Sequence, residues 1–275
     1  GCPCHRVVRA GGRIPGSLDR GGSPDASWQA ERLQAEEVPS SGGIVDLERY
    51  GFDRFASDRP LEKLSLWQRQ VLARVRIQSR RRMPRLVGGV DISYAGEEQG
   101  VAAYGLVDVA TGELAWSATA ERPVRFPYIS SYLTFRELPL LAALLEEVRA
   151  AGRLSSVVLV DGTGILHPRH AGIASHLGVA ASVATVGVTK RLLCGQVEIE
   201  GMRPMEGRRV ALDGDSAGVA IRPTSGSRRP IYVSPGHRVD LAFSERLVRR
   251  LLLGHRLPEP LYWADRLSRR HAKNV

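Results

Sequence analysis

Apolar residues recur along this chain in two periods, and the two alternate. The run from Val157 to Val160 is continuous β-branched and aliphatic, the pattern of a strand buried on both faces, and it ends on a carboxylate, Asp161. Leu86–Tyr94, Val101–Val109 and Leu114–Glu121 read as three more strands, the last two joined by the turn Ala110–Glu113. Turns this short predict an antiparallel meander. Further strands are expected at Ala184–Val188, around Val210, at Val219–Ile221 and at Ile231–Ser234. Helical spacing marks Leu61–Arg85, Leu133–Ala151, a helix starting within Gly172–Leu177, and Leu241–Leu253. Three antiparallel strands, a helix, then strands alternating with helices is the order of an α/β, ribonuclease H-like mixed sheet flanked by helices.

Residues 1–57 break the pattern. They are rich in Gly, Ser, Pro and charge and offer few apolar positions, so a small irregular extension is expected there, with the folded domain at 58–275.

Charge narrows the partners. The formal net charge is +10 over 275 residues, and arginine carries most of it, in Arg74–Arg85 and Arg246–Arg270. A planar guanidinium suits phosphate, so a nucleic acid is the expected partner. The three cysteines, Cys2, Cys4 and Cys194, make no disulfide framework, and no apolar run is long enough to span a membrane. No signal peptide is read at the start, and a soluble, cytoplasmic monomer is expected.

Three carboxylates stand where carboxylates are costly. Asp91 lies inside a strand otherwise built of Val and Ile; Glu137 falls on the apolar stripe of its helix, with Leu133, Leu140, Leu141 and Leu144; Asp161 closes a buried strand before Gly162-Thr-Gly164. Asp161 alone also fits an ordinary strand-to-helix turn. Converging in one pocket, the three would repel one another unless divalent cations neutralised them, and hard oxygen donors select Mg²⁺ or Mn²⁺. Such a centre suits phosphodiester hydrolysis, with Lys190 neutralising developing phosphate charge and His237, after Ser-Pro-Gly, holding or deprotonating the attacking water.

Ordered blocks add a resemblance. Val90-Asp91-x-Ser93-Tyr94, Pro127-Tyr128-Ile129, Phe135-Arg136-Glu137, Asp161-Gly-x-Gly-Ile-Leu-His167-Pro-Arg169, Gly172-x-Ala-Ser-His176, Gly187-Val-x-Lys190, Ser234-Pro-Gly-His237 and Arg256-Leu-Pro-Glu-Pro260 with Asp265 resemble the endonuclease V family. The likeness spans about Leu61 to Arg270. It implies a repair enzyme that cleaves DNA, in some members RNA, at the second phosphodiester 3′ to deoxyinosine, leaving 3′-hydroxyl and 5′-phosphate ends. Asp91, Asp161 and Glu137 would then hold the metal, with His237 and Lys190 completing the catalytic group. Tyr128 would be the wedge that fills the gap left by an extruded base. Leu133, Gly162, Gly164 and Gly172 would line the base pocket, and His167, Arg169 and His176 would contact DNA, with Asp265 supporting the geometry. The family's glycine in the wedge loop is Ser131 here, which would be strained if φ there is positive.

A second resemblance lies at the start of the chain. Pro3-Cys4-His5-Arg6, Arg13-Ile14, Gly21-Gly22 and the helical stretch to Glu36-Glu37 are similar to the alkylguanine-DNA alkyltransferase family, whose DNA-reading helix lies N-terminal to this motif. It implies Cys4 as alkyl acceptor and His5 as its base, oriented by Glu36 or Glu37. A vestigial segment, an alkyl-transfer protein, a non-catalytic lesion binder and an RNA-preferring nuclease stay open beside the DNA endonuclease.

Overall fold

In the computed structural model, residues 4–14, 24–52, 59–96, 98–224, 226–227 and 229–274 are described. Pro3, Gly21 and Gly22 of the N-terminal motif lie outside them, and so does the Cys4 side chain. The chain forms two compact units, Gly1–Pro60 and Leu61–Val275.

The first unit contains helix α1 (Pro24–Ala35), the two-residue strands β1 (Ser40–Ser41) and β2 (Ile44–Val45), and a short helix α2 (Leu47–Tyr50). Contrary to the expectation from its composition, this unit has an apolar cluster. Ile14, Leu33 and Val45 are buried together, with Val8, Ala30, Val38 and Tyr50 packed against them.

The second unit opens with α3 (Glu62–Leu72), followed by β3 (Leu86–Ala95), β4 (Gln99–Asp108), β5 (Leu114–Pro123), α4 (Leu133–Ala150), β6 (Val157–Asp161) and α5 (Ile173–Ala180). It continues through β7 (Ala184–Thr189), β8 (Gly207–Leu212), β9 (Asp215–Ile221), β10 (Ile231–His237), α6 (Leu241–Arg250) and α7 (Glu259–Ala272). Eight strands make one mixed sheet in the order β5-β4-β3-β6-β7-β10-β9-β8. Only the neighbouring pairs β3–β6 and β6–β7 are parallel.

Alternation along β6 explains its continuous apolar run. Val157 and Leu159 join a core with Phe243 and Leu247 of α6 and Leu261 of α7. Val158 and Val160 join the opposite core, with Leu140, Leu141 and Leu144 of α4 and Leu177 of α5. Helices cover both faces, so neither face of the central strand needs polar residues.

Two elements differ from their sequence expectation. The helix expected over Leu61–Arg85 ends at Leu72, because the following chain is pulled alongside β10: Arg76 N donates to His237 Nδ1 (3.3 Å) and Arg238 N donates to Arg76 O (2.6 Å). Helix α7 was not expected after Leu257-Pro-Glu-Pro260. Its prolines are harmless, since a helix's first turn has no carbonyl partner for its N–H groups, and Leu261, Ala264 and Ser268 give it a buried stripe at three- and four-residue spacing. Among the described residues no helix is long and apolar enough to cross a membrane.

Candidate active site

Strand register builds the acidic centre. Parallel β3 and β6 pair Val90 with Val160, so the next residues, Asp91 and Asp161, lie side by side where β6 ends. By alternation both belong to the face that α7 covers, the face of Val87 and Leu159. α7 reaches that face because Gly89 and Gly105, opposite each other on β3 and β4, leave it open. A Cβ on Gly89 would stand 2.3 Å from the Pro260 carbonyl carbon. The helix so seated delivers Asp265, and one carboxylate oxygen each from Asp91, Asp161 and Asp265 lie within 4.8 Å of one another.

The electrostatics of this trio is consistent with a cation site. Burial, then the neighbouring Asp161, pushes the Asp91 carboxyl well above the usual range. Burial likewise raises Asp161, against the pull of Lys190. Lys190, just past β7, donates through Nζ to Asp161 Oδ2 (3.0 Å) and Asp265 Oδ1 (3.2 Å). Arg269 Nη2 also lies 3.0 Å from Asp265 Oδ1, and two cations still fall short of three carboxylates; all-oxygen donors at this spacing fit a hard divalent cation.

The expected metal ligand Glu137 is not in the trio. It sits on α4, against the opposite face of the sheet, where Tyr94 Oη donates to its Oε1 (2.8 Å). Burial raises its pKa to about 7, opposed by the Tyr94 bond and reinforced by the nearby Asp161. Asp265, expected only as a supporting residue, is the third member. Its signal in the sequence was weak, an exposed-looking acid beyond a Pro-rich turn.

His237 does not join the carboxylates, which corrects the role expected for it. β10 runs antiparallel to β7 with His237 opposite Thr185, and Thr185 pairs with Val158, three residues before Asp161. At a strand's rise that is a displacement of roughly 10 Å along the sheet. His237 is buried there, its pKa lowered by burial and by Arg238, Arg76 and Arg74.

A cavity of about 420 Å³ adjoins Asp161, and the expected pocket residues Leu133, Gly162 and Gly172 line it together with Tyr128. Tyr128 is 71% exposed at its mouth. Gly164 is not part of the lining. It is needed for close approach instead, since a Cβ there would lie 2.0 Å from Pro235 O.

Of the residues expected to touch DNA, Tyr128 is exposed, His176 is buried, Arg169 is half-buried, and His167, though buried, lines the cavity. His167 is buried, and its Nε2 bonds to Ser131 O (3.0 Å) while its Nδ1 accepts from Arg169 N (3.1 Å). Arg169 Nη2 donates to Ser131 O (2.6 Å) and to Ser131 Oγ (2.9 Å), and its guanidinium lies over the Tyr132 ring. Gln68, fully buried on α3, donates to the same carbonyl (3.0 Å) and accepts from Arg169 Nε. These bonds hold the loop that follows Tyr128, and they explain how Ser131 keeps φ at 63°: its hydroxyl gains a partner that glycine lacks. His176 is buried in α5 with its ring edge-on to Phe135 and its Nε2 unpartnered.

Burial brings His167 and His176 each down to about 4. The unfolded chain protonates them near 6.5, so between about pH 6.5 and 4 it binds more protons than the fold, and both groups withdraw stability as pH falls through that window. Replacing His176 with Gln is therefore expected to make the pH dependence of unfolding free energy shallower by up to one proton's worth there, measured by urea unfolding at successive pH values. A profile unchanged by the substitution would contradict the buried neutral imidazole.

The sheet order and the acidic trio together define a nuclease of the ribonuclease H-like class, working with a metal. The chain matches the Endonuclease V family over residues 69–266, and it belongs to that family. Endonuclease V of Thermus thermophilus is 42% identical over 206 residues, which cover 74% of this chain and 88% of the relative. The catalytic domain of human Endonuclease V superposes with a TM-score of 0.72 at 33% identity, covering 78% of this chain and 98% of the other. The Ciona intestinalis Endonuclease V, solved in complex with a 23mer DNA containing an inosine followed by a ribo-adenosine, shares the fold with a TM-score of 0.71 at 24% identity, over 79% of this chain and 99% of the other.

Proposed function

We propose that the second unit recognises a deaminated purine, deoxyinosine above all, and hydrolyses the second phosphodiester 3′ to it, leaving 3′-hydroxyl and 5′-phosphate ends. The observation that carries this reading is that Asp161 belongs both to the acidic trio and to the wall of the 420 Å³ cavity. A base held in that cavity keeps its own strand within reach of the carboxylates.

Asp91, Asp161 and Asp265 would hold Mg²⁺, with Mn²⁺ able to substitute. The ion supplies charge neutralisation and a more acidic attacking water. Lys190, already paired to two of the carboxylates, is placed to offset charge growing on the phosphate. Glu137, with its pKa near 7, can exchange a proton at working pH. Leu133 and Ile173 give the cavity apolar walls, while Gly162 and Gly172 let backbone approach a purine edge. Tyr128 has the free aromatic face that fills a vacated stack. All three carboxylates come from one chain, which supports action as a monomer. Cys194, a free thiol, is in keeping with a cytoplasmic setting.

Backbone lining does not discriminate against a 2′-hydroxyl, so inosine-containing RNA is a second substrate class. The test is to incubate matched inosine-containing DNA and RNA with and without Mg²⁺ and to map the cut. Cutting at the second phosphodiester 3′ to inosine is expected, and cutting indifferent to inosine would overturn the reading.

A second activity is favoured by one contact in the first unit. His5, buried beside Cys4 in sequence, bonds through Nε2 to Glu36 Oε1 (2.8 Å). Arg6 and then His5 hold that carboxyl down at about 2, so it stays charged. With a carboxylate-paired histidine beside it in sequence, we infer alkyl transfer to Cys4, its thiolate displacing the guanine base as leaving group. Labelled alkyl groups should pass from alkylated DNA to the wild type and not to Cys4→Ala. An unlabelled wild type would dispose of this activity.

A further inference from the structure

A second cavity opens at the acidic centre. It measures about 360 Å³, and Lys190, His255, Arg256, Tyr262, Asp265 and Arg269 line it. Lys190 is the one lining residue it shares with the base cavity. Each cavity also holds one carboxylate of the trio, Asp161 in the first and Asp265 in the second. The carboxylates thus stand between two cavities, and a strand with its base in the first and its scissile phosphate at the centre is led onward into the second.

The chemistry of the second cavity suits that strand. Arg256 and Arg269, with Lys190 shared between Asp265 and Asp161, outnumber the one carboxylate in the lining, so the lining favours an anion. Arg269 Nη2 lies 3.0 Å from Asp265 Oδ1, and Arg256 Nη2 donates to the Lys190 carbonyl (3.2 Å), so both guanidinium groups are anchored at the rim of the centre. Part of the lining is aromatic. His255 stacks flat on Tyr262, with ring centroids 3.6 Å apart and 6° between planes, and Glu259 Oε1 pins His255 Nδ1 at 2.7 Å. A stack already ordered loses little freedom when a ligand packs on it.

We propose that this cavity is the subsite for the nucleotide 3′ of the cut: Arg256 and Arg269 take the phosphodiester that follows the scissile one, and the Tyr262–His255 stack takes its sugar or base. The inference rests on the substrate reading above and adds a second point of strand recognition to it. Phosphate contacts of this kind fix the register of the strand over the centre, which is what a cut offset from the recognised base requires.

The test compares two inosine-containing duplexes whose cut strands differ only beyond the cut. One continues for eight nucleotides; the other ends in a single nucleoside with no further phosphate. The wild type is expected to show a KM about tenfold lower on the long substrate. Arg256→Gln should raise the long-substrate KM about tenfold, leave the short-substrate KM in place, and make the salt dependence of binding shallower by about one phosphate contact. Arg256→Lys should restore most of that loss. Equal KM values for the two substrates in the wild type would overturn the subsite, and so would an Arg256→Gln loss of equal size on both, which would mean that Arg256 acts only through the Lys190 carbonyl. Anisotropy binding of the same duplexes without divalent cation gives the comparison independently of cutting. Length-dependent, Arg256-dependent binding without inosine-specific cleavage would sink the substrate reading and keep the subsite.

Discussion

Asp161→Asn is expected to lose about 10³-fold or more of the divalent-dependent cleavage while folding as the wild type does. The substitution keeps the shape at the end of β6 and removes the charge that two features of the site depend on. It replaces one of three mutually close anionic oxygens with a neutral amide, and it removes the one carboxylate that lines the 420 Å³ cavity. Stability separates this from damage to the fold. Burial disfavours the charged form of Asp161, so without cations the Asn variant should be no less stable than the wild type. With cations at about a hundred times their dissociation constant, the wild type should gain about 2.7 kcal/mol and the variant markedly less. Thermal unfolding with and without Mg²⁺ reads this, alongside cleavage of an inosine duplex. A variant that cuts at the wild-type rate would remove Asp161 from the metal centre.

The largest expected loss of stability comes from Gly164→Ala. The loop after β6 lies directly on the strands beneath it: Gly164 N donates to Ser234 Oγ (2.9 Å), and Ile165 N donates to Pro235 O (2.8 Å). An added Cβ would meet Pro235 O at 2.0 Å and Pro235 C at 2.5 Å, both backbone atoms that cannot swing away. Gly187 on β7 shows the same closeness, since its Cβ would lie 2.4 Å from Gly164 N and 2.6 Å from Gly162 O. The loop must therefore lift, at a cost of about 3 kcal/mol, and Asp161 and Gly162 must move with it. Urea unfolding should show that loss together with a fall in cleavage. Gly152→Ala is the control: there φ is +67° and nothing lies within 4 Å of the new Cβ, so only the backbone preference of about 1 kcal/mol should be lost. Equal losses at both positions would show that close approach is not what Gly164 provides.

The loop of Tyr128 and Ser131 shows where sequence reasoning reached and where it stopped. A left-handed Ser131 was foreseen as a point of strain, and φ there is 63°. The remedy was not foreseen, because it comes from two distant segments. Gln68 lies on a helix 63 residues earlier, and His167 and Arg169 follow β6 36 and 38 residues later. Read singly, a His and an Arg after a glycine turn look like phosphate ligands. Once folded, both bond to one carbonyl, while His167 still lines the cavity.

The sequence by itself determined which segments become strands and which become helices through most of the second unit, and it placed Asp91 and Asp161 at the strands that matter. The physical reason is that period-two and period-3.6 burial are local properties, legible in side-chain order, and a carboxylate in an apolar strand is anomalous wherever the strand goes. Only the tertiary structure decided who meets whom. Register carried His237 to the wrong end of β7, the faces of the sheet set Glu137 apart from the trio, and a bare seat at Gly89 and Gly105 let α7 bring Asp265 in. Those outcomes depend on pairing between strands and on the room one backbone leaves for another, which no single segment encodes.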